Sequence, residues 1–359
     1  MRLGRDTIAL EQFSRTADRL EGRRLLRAPK VELTRYSATL APDGSILRFE
    51  SAAVPLAGDS AAPASATVEF GMDSVRVTLV SGEGTRAYAT ALHTREGSVF
   101  LPFSYALYEQ LVRRTLGRGV DSAPAELIFP GVLAPLPTGI RRTAPDSAAL
   151  DFFGAPLRLR IDRAGRILGA DGSATTQKVT VTRVRRVDLP SLARAAAAAE
   201  RAGGPAGQLS PRDTVRATVG GAEVIVDYGR PGMRGREIFG GLVPWNEVWR
   251  TGANAATGLT VSAPLLVGGA ELPAGSYTLY TLPRPGGAEL IVNRQTGQWG
   301  TEYDAAADLV RVPLAQRTLD APVERFTIVV EPAGRGAVLR LAWDRTEWTT
   351  TLVPDPTTP

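Results

Sequence analysis

Residues 235–257, GREIFGGLVPWNEVWRTGANAAT, concentrate side chains that could recognise a polar ligand. Trp245 and Trp249 offer broad faces for stacking, and the guanidinium groups of Arg236 and Arg250 can grip a carboxylate or a phosphate. Asn254 can donate and accept hydrogen bonds, and the glycines in this stretch allow close backbone approach. The stretch therefore predicts either a ligand site or a structural loop whose tryptophans close one end of a sandwich.

A second block, VNRQTGQWG at residues 292–300, adds Asn293 and Trp299. We predict that side chains from the two blocks meet at one solvent-connected hollow. If these side chains were instead buried separately in the core, no shared pocket would exist. The candidate ligand-binding residues are Arg236, Trp245, Trp249, Arg250, Asn254, Asn293 and Trp299.

Signals for catalysis are weaker, and the sequence assigns no catalytic residue. The single histidine, His93, shares one face of a predicted strand with an alanine stripe at positions 87, 89 and 91, which predicts that a helix packs there. His93 could act as a base toward a hydroxyl such as that of Ser104, but no G-x-S-x-G elbow accompanies them. A hydrolase that works with carboxylates is a further option, with Asp227, Glu237 or Glu247 near Arg250.

Signatures of metals and cofactors are absent from the sequence. One histidine and no cysteine exclude a His-based cluster and every thiolate site, and no D-x-D-x-D-G pattern supplies an oxygen-only site. SGEGTRA at residues 81–87 lacks the third glycine of a dinucleotide loop, and no G-K-[ST] motif follows any glycine-rich run. We therefore expect no metal and no cofactor.

The composition is that of a folded protein whose positive charge is dispersed. The chain has 359 residues, of which 43% are apolar and 22% charged, enough for two domains with buried cores. The net charge of +5 comes from arginines interspersed with acids, and the run RVRRV at 183–187 is short, so we expect no nucleic-acid partner. No apolar stretch approaches the roughly 20 residues of a membrane helix, and the N-terminus lacks the apolar core of a signal peptide.

Alternation of apolar and polar residues predicts many strands. VRVTLV at 75–80 and LRLRID at 157–162 alternate with the period of a half-buried strand. VERFTIVVE and AVLRLAWD alternate likewise near the end of the chain, and the intervening PAGRG predicts that they form a hairpin. Short strands at even spacing predict a mainly β protein of sandwich or barrel type.

Two segments have helical patterns instead. Residues 102–116 place Phe103, Leu107 and Leu111 on one stripe, which predicts a helix lying on a sheet. Residues 189–207 are alanine-rich and end in GGPAG, which predicts a short linker helix and a flexible break, and 51–66 predict a low-complexity loop. The predicted fold is an N-terminal curved antiparallel sheet with one packed helix over 7–188, the linker over 189–207, and a C-terminal β-sandwich over 208–354.

Four runs in the last third of the chain carry a family resemblance. They are DYGRPGMRGREIFGGLVPWNEVWRTGAN, LPAGSYTLYTLP at 272–283, VNRQTGQWG, and PVERFTIVVEP at 322–332. From about Asp227 to Pro354 the chain resembles a bacterial family known as domain of unknown function 2911. The resemblance implies a compact β-sandwich, usually in proteins that carry export signals, and no catalytic residue. We therefore expect a periplasmic or secreted protein that is a processed form or has a misplaced start, with a cytoplasmic location as the alternative.

These observations favour a non-catalytic binding module for a small polar ligand, a glycan or another protein. Two alternatives stay open at this stage. One is the carboxylate-dependent hydrolase, and the other is a carrier of apolar molecules in the N-terminal domain, which requires a continuous apolar cavity beneath the 102–116 helix. No family is assigned to the N-terminal domain, and no oligomeric state is predicted.

Overall fold

The computed structural model describes residues 1–28, 30–56, 64–93, 97–152, 154–175, 177–202 and 209–356. The chain divides into two compact units, Met1–Gly207 and Gln208–Pro359, and both are built mainly from antiparallel strands. No helix in the ranges given above is long and apolar enough to cross a membrane. The predicted mainly β fold is confirmed.

The strands of the N-terminal unit form two sheets. In chain order they are β1 Arg2–Leu3, β2 Asp6–Thr7, β3 Ala9–Arg15, β4 Arg19–Leu26, β5 Glu32–Leu40, β6 Ile46–Val54, β7 Ser65–Phe70, β8 Ser74–Ser81, β9 Gly84–Ala91, β10 Gly97–Val99, β11 Ser122–Ile128, β12 Leu136–Ala144, β13 Ser147–Phe152, β14 Ala155–Ile161, β15 Ile167–Asp171 and β16 Thr180–Thr182. Strands β3 to β9 form a seven-stranded meander, and the others form a nine-stranded sheet in the order β10-β11-β12-β13-β14-β15-β16-β1-β2. Among the described strands of this unit, β10 and β11 are the one pair that runs parallel.

Helix α1, Tyr105–Gly117, is packed on both sides. Ala106 and Leu107 lie in the core of the seven-stranded sheet, while Tyr108 and Leu111 lie in the core of the nine-stranded sheet. The predicted helix over 102–116 is therefore present, but it begins at Tyr105 and is covered by two cores, whereas the sequence predicted one. Its apolar stripe is too broad for a helix with a solvated side.

Glu11 on β3 fixes the start of α1. Its carboxylate accepts hydrogen bonds from the backbone N–H groups of Tyr105 at 2.8 Å and Ala106 at 3.1 Å, which have no partner inside the helix. The same carboxylate accepts from the hydroxyls of Ser104 at 2.5 Å and Tyr36 at 2.7 Å. Burial raises the pKa of Glu11, and these four hydrogen bonds oppose that rise.

The expected packing of α1 on the alanine stripe of β9 is wrong. Ala87, Ala89 and Ala91 are exposed, and it is Tyr88 and Leu92 that pack against the core of the seven-stranded sheet. The larger apolar side chains gain more from burial than alanine does, so they take the inner face.

Helix α2, Leu189–Arg201, packs on the outer face of the seven-stranded sheet. It begins after Asp188, whose side chain accepts the backbone N–H of Ser191 at 3.1 Å. Its buried residues Leu189, Ala193 and Ala197 form a small core with leucines of β4 and β5. Residues 203–207 of the predicted flexible break lie outside the described ranges. The predicted loop over 51–66 is shorter than expected, because strands continue to position 54 and resume at 65, and 57–63 lie outside those ranges.

The C-terminal unit is a sandwich closed by two long strands. Its elements are β17 Arg212–Val219, β18 Ala222–Gly229, β19 Thr257–Val261, β20 Leu265–Val267, β21 Ala270–Leu272, β22 Gly275–Arg284, β23 Gly287–Asn293, a 3₁₀ helix Ala305–Ala307, β24 Asp308–Ala333 and β25 Gly336–Pro354. Their order is β17-β18-β19-β22-β23-β24-β25-β20-β21. Strand β24 pairs first with β23 and then with β25, so it passes from one layer to the other.

One core fills the C-terminal unit. Val226 and Leu279 from one layer and Ile328, Leu341 and Trp343 from the other are buried together. The predicted hairpin near the end of the chain is confirmed by the antiparallel pairing of β24 with β25. Both strands are longer than the alternation indicated, because register shifts between residues 318 and 327 interrupt the pattern.

Candidate functional site

The loop that joins β18 to β19 carries most of the predicted binding residues. It is fastened to β22, because Trp249 and Thr281 exchange backbone hydrogen bonds of 2.7 and 2.9 Å. The N–H of Asn246 donates to the carbonyl of Pro283 on the same strand at 2.8 Å. The loop therefore lies along the end of the sandwich and does not project from it.

The two blocks singled out in the sequence meet at the end of this loop. Ala255 and Trp299 form an antiparallel bridge. On either side of it, the N–H of Gly300 donates to the carbonyl of Asn254 at 3.0 Å, and the N–H of Ala256 donates to that of Gln298 at 3.2 Å. Residues 254–256 and 298–300 thus pair as two short extended segments.

Arg250 lies against this junction. A β-carbon built on Gly300 would stand 2.6 Å from Cδ of Arg250, so only glycine leaves room for the arginine stem. The side chain is half-buried, and within the described ranges its guanidinium has neither a carboxylate partner nor a hydrogen bond to protein. Burial lowers the pKa of Arg250. Since an arginine stays protonated in proteins, the site holds a partly desolvated positive charge without a counterion.

Gln298 adds a second unsatisfied group. Its Nε2 donates to Thr278 Oγ1 at 3.2 Å and to Tyr280 Oη at 3.1 Å. Both hydroxyls already donate elsewhere, to the carbonyls of Gln295 and Glu302, so they must accept from the amide nitrogen, which fixes the orientation of the amide. Its Oε1 is buried and meets no donor in the part of the chain that the structure describes.

Exposed groups complete the arrangement. Trp299 is 46% exposed, which is unusual for an indole, and Asn254 is also exposed. We call Arg250, Asn254, Gln298 and Trp299 the Arg250 cluster. It combines two amides and an exposed indole on the two paired segments with a planar cationic donor that lies against Gly300.

The backbone around Arg250 is strained. Thr251 has φ of 50° and Asn254 has φ of 64°, in the left-handed region that a β-branched residue such as threonine rarely adopts. The fold holds Thr251 there: its hydroxyl lies within hydrogen-bond distance of the carbonyl of Trp249 and of the hydroxyl of Thr281, and its carbonyl accepts from the hydroxyl of Thr257 at 2.8 Å. Strain that packed surroundings maintain is a feature of ligand-binding loops.

The other predicted aromatic residues are not part of this cluster. Trp249 stacks on Trp343 with ring centroids 5.7 Å apart and packs edge-on against Phe326, so it belongs to the sandwich core. Trp245 stacks on Phe239 at 5.9 Å, next to the loop glycine at position 240. Both tryptophans have the structural role that the sequence left open.

The remaining two predicted residues bind the protein itself. Arg236 donates to the carbonyls of Met233 at 3.0 Å and Gly232 at 2.6 Å, which stabilises its own turn. Asn293 is 0% exposed, and its Nδ2 donates to the carbonyl of Asp304 and to the carboxylate of Asp308, each at 2.8 Å. The backbone pairing places positions 254 and 299 on adjoining segments, and Arg250 lies against Gly300 in one of them, whereas Arg236, Trp245, Trp249 and Asn293 are engaged elsewhere. Gln298 was not predicted, because an isolated glutamine gives no signal in a sequence.

The residues considered for catalysis are engaged separately. Nδ1 of His93 lies 2.8 Å from a carboxylate oxygen of Glu126, whereas the hydroxyl of Ser104 donates to the carboxylate that caps α1. Asp227 forms an ion pair with Arg212, and residues 237 and 247 are exposed glutamates. Within the described ranges no group of three or more potential metal ligands occurs.

The N-terminal unit has a hollow on the face that does not carry α1. It measures about 750 Å³ and crosses β3 to β7, and its lining is largely polar. The space next to α1, where an apolar carrier would need its cavity, is filled by side chains such as Leu107, Tyr108 and Leu111. The interior of this unit therefore gives no support to the carrier hypothesis.

Comparisons with known proteins identify a family for the C-terminal unit. The profile of a family described as "Protein of unknown function (DUF2911)" matches residues 210–352, and the N-terminal region has no family assignment. No curated protein matches the chain. A crystal structure of a DUF1089 family protein from Pseudomonas aeruginosa is similar to 45% of this chain and 89% of its own, with 14% identity and a TM-score of 0.33. A likeness at that level supports no inference about function.

Proposed function

We propose that the C-terminal unit is a non-catalytic binding module for a small carboxylate-bearing ligand, and that a uronic acid is the simplest ligand of this class. The Arg250 cluster is the binding site. Arg250 would hold the carboxylate, Trp299 would cover one face of the sugar ring, and the amide of Asn254 would meet one of its hydroxyls.

The charge of Arg250 carries the proposal. The guanidinium is half-buried without a counterion in the described part of the chain, and this costs free energy in the unliganded protein. A carboxylate can accept two parallel hydrogen bonds from a guanidinium, and such a charge-assisted pair is roughly twice as strong as a neutral hydrogen bond. Binding would therefore relieve a cost that the fold already bears.

The neighbouring groups favour a hydroxylated ring over an apolar acid. The exposed amide of Asn254 can both donate to and accept from a ligand hydroxyl. The exposed indole of Trp299 offers a flat apolar surface of the kind that covers the C–H face of a sugar. A simple fatty acid would use neither group.

The composition of the cluster favours binding over catalysis. Its four side chains are a guanidinium, two amides and an indole, and none of these is an ordinary nucleophile or general base. Of the carboxylates considered earlier, Asp227 is engaged by Arg212, and among the described contacts none joins Glu237 or Glu247 to Arg250.

The test is a calorimetric titration of the full chain with glucuronate and, separately, with glucose. We expect saturable binding of glucuronate only, weakened about tenfold or more by Arg250→Gln, since a charged hydrogen-bonded pair is lost. Trp299→Ala should weaken binding less. Arg335→Gln, which removes the same charge from an exposed turn, is the matched control and should bind as the wild type does. Equal affinity of the wild type and Arg250→Gln would refute the proposal, and so would the absence of any saturable binding.

A further inference from the structure

The hollow on the N-terminal unit lies on the outer face of the seven-stranded sheet, the face on which α2 packs, and beside the residues that α2 covers. One row across this face is apolar, Leu10, Leu25, Leu33 and Val54, and α2 packs on it. The next row is polar and runs Gln12, Arg23, Arg35, Ala52 and Ser65 in direct cross-strand register. All five residues of the polar row line the hollow. The hollow is therefore an open groove next to the apolar row that α2 covers, and we call it the groove.

Two arginines meet at the centre of the groove. Arg23 on β4 and Arg35 on β5 are directly opposite each other, and both are exposed. Residues in this relation have β-carbons about 5 Å apart, and like charges placed so destabilise a sheet. Neither arginine has a carboxylate partner within the described ranges, so the fold itself does not offset their repulsion.

Two other arginines on this face of the sheet do have carboxylate partners. Arg19 forms an ion pair with Glu21, and Arg48 forms ion pairs with Glu50 and Glu69. Glu21 and Glu50 also line the groove; Arg19 matches the charge of Glu21, whereas Arg48 is shared between Glu50 and Glu69. Four arginines, at positions 19, 23, 35 and 48, stand against three glutamates, at positions 21, 50 and 69, so this face has an excess of one positive charge, and Arg23 and Arg35 are its two unpaired cations.

Small side chains give the groove its room. Ala52 and Ser65 continue the row of Arg23 and Arg35, and the row beyond it alternates small side chains with the two glutamates, in the order Ser14, Glu21, Ser37, Glu50 and Thr67. The small side chains leave space above the sheet, and the three serines and the threonine supply hydroxyls that both donate and accept. A volume of about 750 Å³ accommodates a small organic molecule.

The geometry points to a second ligand site in this groove, for a phosphate monoester that carries a hydroxylated body, such as a sugar phosphate. A phosphate monoester carries close to two negative charges at neutral pH and three strong acceptor oxygens, which matches two adjacent guanidinium forks. The serine and threonine rows would meet the hydroxyls of the body. This inference does not rest on the function proposed for the Arg250 cluster.

The experiment titrates glucose 6-phosphate, inorganic phosphate and glucose into the full chain. All variants are made in an Arg250→Gln background, so that the C-terminal unit cannot contribute. We expect saturable binding of glucose 6-phosphate, weaker binding of inorganic phosphate and none of glucose. Arg23→Gln and Arg35→Gln should each weaken the binding of glucose 6-phosphate about tenfold. Arg23→Lys should recover part of the loss, because it restores charge without the fork.

Arg76→Gln is the matched control, because Arg76 is exposed on the same sheet and does not line the groove. It should bind as its parent does. The inference fails if glucose 6-phosphate does not bind, if Arg23→Gln and Arg35→Gln bind it like the control, or if inorganic phosphate binds as tightly as the sugar phosphate. A failure here leaves the glucuronate titration untouched, since that titration depends on Arg250.

Discussion

Arg250 and Gly300 are in van der Waals contact across the junction of two distant segments, so closely that a β-carbon on Gly300 would stand 2.6 Å from Arg250 Cδ. The contact shows how the site is made. The glycine removes the obstacle to the arginine stem, and the backbone pairing of 254–256 with 298–300 holds both segments in place. The position of the guanidinium thus depends on residues more than forty positions apart in the chain.

Gly300→Ala should destabilise the protein and disturb the site together. The new β-carbon would meet the Arg250 stem and also the carbonyl of Asn254 at 2.7 Å, and backbone cannot move aside cheaply. We expect a loss of about 1–3 kcal/mol in the free energy of unfolding, measured in urea, and weaker binding of glucuronate. Gly287→Ala is the control, because nothing lies within 4 Å of its β-carbon position. Equal effects of the two substitutions would show that the contact with Arg250 has no special role.

Asn254→Gly tests what the side chain of Asn254 contributes to binding without changing the backbone conformation of the site. Position 254 has φ of 64°, which glycine adopts without strain, so we expect the free energy of unfolding to change by less than about 1 kcal/mol. Affinity for glucuronate should fall severalfold, because one amide is removed. Calorimetry and urea unfolding of the same sample measure both quantities. An unchanged affinity would remove Asn254 from the binding site.

Asn293→Ala should have the opposite effects: it should lower the free energy of unfolding and leave the affinity for glucuronate unchanged. The side chain is fully buried and bonded to Asp304 and Asp308, so its removal leaves buried groups unsatisfied and should cost about 1–3 kcal/mol in the free energy of unfolding. Asn293→Asp keeps the acceptor for the N–H of Gln295 but loses both donors, and it should also destabilise the fold. Under conditions where these variants are folded, both should bind glucuronate like the wild type. A tenfold loss of affinity would restore Asn293 as a ligand-binding residue.

The turn between β5 and β6 should make the stability of the N-terminal unit depend on acid. The N–H and hydroxyl of Ser45 donate to Asp43, and so does Arg114 of α1, and together they lower the pKa of Asp43 to about 2 from its ordinary value of 3.8. A lowered pKa in the folded state means that the ionised carboxylate stabilises the fold. That contribution is present above about pH 4 and is lost as the pH falls toward 2.

The measurement is the difference in the free energy of unfolding between the wild type and Asp43→Asn over this pH range. The wild type should be the more stable above pH 4, and the difference should shrink as the pH approaches 2. Asp73→Asn, which alters an exposed aspartate of the same unit, should show no such trend. A difference that is constant with pH would contradict the assignment to Asp43.

The alternation of apolar and polar residues made the mainly β architecture predictable. The register of strand pairing, which decides which side chains are neighbours, could not be predicted from the sequence. Leu157, Leu159 and Ile161 occupy one buried face of β14, as their spacing indicated. The prediction that a helix packs on the alanine stripe of β9 was wrong, because alternation identifies the two faces of a strand but does not say which face is covered. The opposition of Arg23 and Arg35 was equally hidden, since it depends on the exact pairing of β4 with β5.

The candidate site was predictable as a meeting of two blocks, but its membership was not. Tryptophans at 249 and 299 look alike in a sequence, yet one stacks in the core and the other is exposed. The difference follows from the loop backbone, which takes positive φ at Asn246, Thr251 and Asn254 and so turns successive side chains in different directions. An asparagine at the end of a hairpin can bind a ligand or groups of the protein itself. Asn293 binds the protein, because Asp304 and Asp308 lie beside it.

The most direct test of the account follows the side-chain Nε–H resonance of Arg250 in a ¹⁵N-labelled sample while glucuronate is added. The resonance is identified by its absence from the spectrum of Arg250→Gln. We predict that it shifts and saturates with glucuronate but does not move with glucose, since only the acid supplies a partner for the guanidinium. A resonance that stays in place while glucuronate binds elsewhere would contradict the claim that Arg250 holds the ligand.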